Sequence, residues 1–120
     1  MITIELTKEH RGNVKSTTFS GRLEGKEVRE RLSLDKYDKG TEPVKIKLPN
    51  DTTSFNPSFF LGLFFDSVKR CGSTDAFLKK FSFDLSNFDD ELKAFISEDI
   101  SDCIQRCNNE LNNKTGIDLK

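Results

Sequence analysis

Between Phe59 and Phe65 the chain sets six large apolar side chains around one glycine, Gly62. On a helical wheel at about 100° per residue, Phe60, Leu61, Phe64, Phe65, Val68 and Cys71 form one broad stripe. Phe59 and Leu63 widen it past half the circumference. A helix with that much apolar surface is buried on more than one side, or is buried on one and offers the rest to a partner. Its ends are marked. Asn56 can accept a bond from a free N–H, Pro57 loses nothing at the first helical position, and Gly72 is a matching stop. The apolar run is too short to span a bilayer, which takes about 20 residues. The chain holds eleven Phe, one Tyr and no Trp. Phe brings large apolar area with no polar atom to satisfy, so these rings can anchor the core of one small domain.

Around this helix, the pattern alternates. Residues 2–6, ITIEL, read as a strand with one buried face, and Val14–Phe19 as a short strand expected to pair with it. From Arg22 to about Leu34 the period turns helical. Leu23, Val28, Leu32 and Leu34 fall on one side; Arg22, Glu24, Lys26, Glu27, Arg29 and Glu30 cover the other. Ser20 is placed to cap this helix, with Gly21 easing its start. A polar turn, DKYDKGTEP, leads to Val44–Leu48, where VKIKL alternates strictly. Thr74–Lys80 predicts a short helix and Phe81–Leu85 a strand. Ser86–Ile96 predicts a helix with Asp89, Asp90 and Glu91 at its dipole-favoured end. Ile100, Cys103, Ile104, Cys107 and Leu111 predict a last helix, followed by a loose tail over 112–120. The order β, β, α, β, α, β, α, α predicts a single α/β domain over 1–120. Its sheet is expected to be small and mixed, with helices packed mainly on one face.

Nineteen Lys/Arg against twenty Asp/Glu leave a net charge of −1, which gives no electrostatic attraction to nucleic acid or an anionic membrane. The balance tilts along the chain: residues 1–50 hold eleven basic and eight acidic groups, and residues 51–120 eight and twelve. Arg22, Lys26, Arg29 and Arg31 interleave with Glu, as on a solvated helix face. The opening MITIELTKEH lacks the basic-then-apolar pattern of a signal peptide, and three cysteines suit a reducing, cytoplasmic setting. Cys103 and Cys107 share a helical face. With His10 the sole histidine and no CxxC pair, they are expected to be packing thiols and not metal ligands. His10 falls in a predicted loop without an evident nucleophile, and no phosphate-cradling Gly-rich loop is present. Neither catalysis nor a cofactor is expected.

GRLEGKEVRERL, a turn, VKIKL and then SFNPSFFLGLFFDSVKRCGSTDAFLKKFSFD resemble, in order and spacing, the STAS-like family of bacterial proteins of unknown function. The residues that carry the likeness are Gly21, Arg22, Gly25 and Arg29 on one helix, Ser58–Phe59–Phe60 at the start of another, then Gly72 and Phe77. The resemblance implies a small α/β module that binds protein partners, with an ATPase-type kinase as one such partner. In the related anti-anti-sigma factors the first Ser of a D-S-S-G motif is phosphorylated at the start of the helix after the central strand. The matching stretch here is Asn56–Pro57–Ser58–Phe59, which keeps only the second serine, as Ser58.

The candidate docking surface is therefore the loop and helix start over 52–60, with Phe55 and Phe59 as aromatic anchors beside Asn56 and Ser58. Arg22 and Arg29, seven residues apart on one helix face, are placed to receive an acidic or phosphorylated group. Ser58 is the phosphorylation candidate, because added charge at a helix N-terminus is favourable. The expected function is a non-catalytic regulatory module acting by occupying a protein partner, as a monomer or weak homodimer. The alternatives are a phosphorylation-switched antagonist using Ser58, or a homo-oligomeric structural or small-ligand-binding protein.

Overall fold

The alternation of VKIK sets the middle of the sheet. In β3 (Val44–Lys47), Val44 and Ile46 are fully buried while Lys45 and Lys47 stay half-buried. β1 (Ile2–Glu5) pairs on one side of it and β5 (Phe81–Asp84) on the other, in the order β1-β3-β5. The computed structural model describes residues 2–11 and 17–118. Ile4 stands beside Ile46, and Ile46 beside Phe83, in parallel ladders. The expected mixed sheet is corrected: every pairing among the described residues is parallel. Parallel neighbours need crossover connections, and helices supply them. α1 (Arg22–Leu32) and α2 (Leu34–Lys39) make the first crossover; α3 (Pro57–Cys71) and α4 (Thr74–Lys80) make the second. Two crossovers of one hand, moving in one direction across a sheet, bring their helices to the same face. Ile4, Val44, Ile46 and Phe81 are buried on that face, while Thr3, Glu5 and Ser82 are exposed on the other.

A second ladder pairs β2 (Thr18–Phe19) with β4 (Ser54–Phe55), also parallel, with Phe19 beside Phe55. The expected pairing of this segment with the opening strand is thereby corrected. Its partner is β4, because the N–H of Asn56 reaches the carbonyl of Phe19 at 2.8 Å and that of Thr53 the carbonyl of Thr17 at 2.9 Å. Residues 14–16 of the expected strand lie outside the described residues.

The boundaries of α3 fall where Asn56, Pro57 and Gly72 place them. Asn56 Oδ1 accepts from the N–H of Ser58 at 2.9 Å, and Gly72 closes the helix at φ 94°. Two readings change. The polar stretch after Leu32 is not a turn: Ser33, at φ 54°, breaks α1 and the chain resumes as α2. The two expected C-terminal helices are one, α5 (Asp90–Asp118), which continues through 112–118. No helix among the described residues is long and apolar enough to cross a membrane.

α1 and α3 run side by side in the same direction, since Gly21 meets Ser58, Gly25 meets Phe59, and Arg29 meets Leu63 and Ser67. They touch backbone to backbone. A Cβ on Gly25 would overlap the carbonyl oxygen of Phe59 and stand 3.0 Å from the N of Leu63. One on Gly62 would overlap the carbonyl oxygen of Arg22 and stand 2.9 Å from the N of Lys26. The buried side of α1 is thus Gly25, Val28 and Arg29, while Leu23 is 72% exposed. Beneath α3 a continuous set of rings fills the interior. Phe19, Phe55, Phe59, Phe60, Phe64, Phe77, Phe81 and Phe83 are linked at centroid distances between 4.8 and 6.3 Å.

In an open helix, Gly→Ala stabilises by up to about 1 kcal/mol. Here Gly25→Ala and Gly62→Ala are each expected to destabilise by about 1–3 kcal/mol through overpacking. The double variant should lose less than the sum, because one forced separation relieves both clashes. Urea unfolding of the three variants checks this, and a neutral or stabilising Gly25→Ala contradicts the contact.

Candidate functional site

Two strand-to-helix junctions meet at one end of the α1–α3 pair. β2 passes through Ser20 and Gly21 into α1, and β4 passes through Asn56 into α3. Carboxyl ends of parallel strands leading into helix N-termini are where open α/β folds commonly present their binding surfaces. Ser58 knits the two junctions. Its Oγ accepts from the N–H of Gly21 at 3.2 Å and donates to Asn56 Oδ1 at 2.7 Å. Ser58 therefore does what Ser20 was expected to do, because α1 begins at Gly21 without a capping side chain of its own. Beside it, the hydroxyls of Thr17 and Thr53 meet at 2.6 Å. Thr17, Ser20, Thr53 and Asn56 are exposed and Ser58 is half-buried, so the platform presents hydroxyl and amide groups.

The expected aromatic anchors are not on this surface. Phe55 and Phe59 are 1% and 0% exposed, and Phe60 is 0%. Phe55 and Phe59 pack on Phe19, and α5 clasps β4 from the side. Asp99 Oδ2 accepts from the N–H of Phe55 at 3.1 Å, and Cys103 Sγ donates to its carbonyl at 3.4 Å. The wide apolar arc of α3 is thus covered by α1, the sheet and α5, and no ring is left over. Asp99 and Cys103 carry no local sign of this role, since they lie more than forty residues away in sequence.

The two arginines also part company. Arg22 stays half-exposed and grips Glu110 of α5 with both terminal nitrogens, at 3.0 and 3.3 Å. Arg29, expected as a partner-binding group, is buried and engaged within the fold. One terminal nitrogen donates to the carbonyl of Leu63 and to Ser67 Oγ, each at 2.9 Å, and the other to Asp35 and Asp38. Ser67 Oγ in turn donates to Asp38 Oδ1 at 2.7 Å, and the Asp38 side chain is 1% exposed. Lys80 completes the hub by donating to the carbonyls of Tyr37 and Asp38 at 2.6 and 3.1 Å and to that of Gly40. The hydrogen bond from Arg29, then its charge, holds the exposed Asp35 carboxyl below its ordinary range. A groove of about 500 Å³ opens beside this hub, lined by Lys26, Arg29, Glu30, Ser33, Asp35 and Asp66.

His10 sits in a 3-10 turn, Lys8–Arg11, where Nδ1 accepts from the N–H of Thr7 at 2.9 Å. Burial first, then the charge of Arg31, lowers its pKa from the ordinary value. Cys103 and Cys107 are fully buried; burial raises both thiols, that of Cys107 to about 12. Among the described residues no three His, Cys, Asp or Glu side chains are grouped to hold a metal ion. No protein-family model, curated protein or solved structure matches the chain.

Arg29→Ala leaves the buried Asp38 carboxylate without its cation and should destabilise the fold by about 3–5 kcal/mol, read by urea unfolding. An effect near zero would show Arg29 to be a surface group. For His10 the sign is the reverse of an imidazole gaining an acid partner. With its folded pKa lowered, its contribution to stability is present above the ordinary value of 6.5 and is lost as pH falls through the folded pKa. NMR titration of the His10 ring should give a midpoint below 6.5. A midpoint above it contradicts the burial argument.

Proposed function

We propose that the chain is a STAS-like regulatory module that binds a protein partner without catalysing a reaction, and acts by occupying that partner. The observation that carries this reading is the joined start of α1 and α3. Two helix N-termini are fixed side by side by the Ser58 hydroxyl, beyond the carboxyl ends of two paired strands, over a floor of buried Phe19, Phe55 and Phe59. A rigid floor under exposed polar groups lowers the ordering cost of docking, which favours a stable interface. The STAS-like resemblance of residues 19–108 points the same way and suggests an ATPase-type kinase as the partner and the cytoplasm as the location.

A second reading is favoured by the position of Ser58 itself. Phosphate on its oxygen would stand at two helix N-termini at once, a favourable place for negative charge. It would also remove the proton that Ser58 donates to Asn56, so modification would reshape the platform as well as charge it.

The test is affinity for the partner recovered from native cells, using Ser20→Arg and Ser58→Asp. Ser20 is exposed and bonded to neither cap, so an arginine there blocks the platform while leaving the fold intact. Ser20→Arg should weaken the complex at least about tenfold, as obstruction of a tightly packed interface does. Unchanged binding sinks the docking reading. If Ser20→Arg weakens binding and Ser58→Asp does not, the module stands and the phosphorylation switch falls.

A further inference from the structure

The platform lacks the aromatic contact that most protein interfaces are built around, because every phenylalanine near it is buried. One phenylalanine elsewhere is not. Phe95, on α5, is 60% exposed, the only exposed aromatic side chain among the described residues. It lies on the helix that clasps β4, on the side of Asp99 away from the Arg22–Glu110 pair that marks the start of α1. Phe95, Asp99 and Cys103 follow one another at four-residue spacing, and the last two bond to the N–H and carbonyl of Phe55 in β4. Phe95 is thus the next group along that line, about 6 Å of helix rise from Asp99. It borders a depression of about 230 Å³ lined with Leu92, Asp89 and Glu91.

The surroundings state what this ring receives. From Asp84 to Asp102 the chain carries seven acids and one base, Lys93. Asp89, Asp90, Glu91, Glu98 and Asp102 are exposed. Glu91 and Glu98 stand one turn to either side of Phe95 on the same helix. An acidic or neutral apolar surface would be repelled by these carboxylates or would bury them unpaired. A guanidinium or ammonium gains twice, from the acids and from the face of the ring. We infer that Phe95 and Leu92, with the acids around them, form the apolar part of the docking surface and receive a basic segment of a partner protein that carries an apolar anchor. This rests on the docking reading above and adds the chemistry of the partner.

The experiment selects short random displayed peptides on the immobilised full chain at near-physiological salt, then measures the enriched peptides on variants. Enriched sequences should be net basic with an aliphatic or aromatic residue among the Arg or Lys. Phe95→Ser should weaken them at least about tenfold, while Leu23→Ser, an equally exposed change on α1, should leave them unaltered. Because Phe95 is exposed, the fold survives its replacement, which circular dichroism checks. Peptides weakened by Ser20→Arg but not by Phe95→Ser would keep the docking reading and overturn this inference. Peptides weakened by Phe95→Ser alone would keep this surface and overturn the platform. No enriched peptides, enriched peptides of neutral or acidic character, or a dimer dispersed by Phe95→Ser would each overturn the inference.

Discussion

Backbone contact between α1 and α3 is the constraint from which the other arrangements follow. Helix axes usually stand about 8–10 Å apart because side chains fill the space between them. At Gly25 and Gly62 there is nothing to fill it, so the carbonyl of each helix faces the backbone of the other. That closeness lets the hydroxyl of Ser58 reach Gly21, and lets Arg29 cross the gap to the carbonyl of Leu63. Two parallel helices in contact also set their positive ends side by side, which repel each other. The oxygens of Asn56 and Ser58 accept N–H groups at that end and offset the repulsion. The same polar cluster that makes the junction a candidate interface therefore helps hold the helix pair together.

At the other end of the pair the fold encloses charge. Arg29, Asp38 and Ser67 are buried together, and Lys80 closes the C-terminal end of α2 by donating to its last carbonyls. A buried ion pair adds little net stability over a well-packed apolar set, yet removing one member is severe. What the hub does supply is position. α2 is six residues long, too short to persist alone, and it is tied by Arg29 from α1 and by Lys80 from α4. α2 is therefore held in place by contacts from elements on both sides of it in the chain.

These dependencies explain which features were legible from residues alone. β3 was readable because VKIK alternates, and α3 because Asn56, Pro57 and Gly72 act on their own neighbours. α2 was not, since Asp35, Lys36, Asp38 and Lys39 look like turn residues until Arg29 and Lys80 reach them. In α1 the apolar stripe was right at Val28 and wrong at Leu23, which is exposed. The close crossing instead buries Gly25, whose lack of a side chain reads locally as weakness in a helix. Ser97, Glu98 and Asp99, the three residues between Ile96 and Ile100, continue one helical period where two separate helices were expected. Of the site, Asn56 was legible as capping chemistry, while Ser58 stood out only as a phosphorylation candidate and its bond to Gly21, 37 residues away, was not legible. Arg29 was misplaced because its partners Leu63 and Ser67 lie 34 and 38 residues away.

The wide apolar stripe of α3 posed a choice between full burial and a surplus left for a partner, and the fold resolves it toward burial. α1 takes one side through Gly62, the sheet takes another through Phe60 and Phe64, and α5 closes the region of Phe55. That last closure has a consequence for the surface. α5 must turn Ile96, Ile100, Cys103 and Cys107 inward, all of them buried, and each inward position leaves others on the same helix outside. Most of those are polar or charged, as solvation favours. Phe95 breaks the pattern. A largely exposed ring contributes little to the core that α5 closes, and its standing among carboxylates is what the inferred docking of a basic segment draws on.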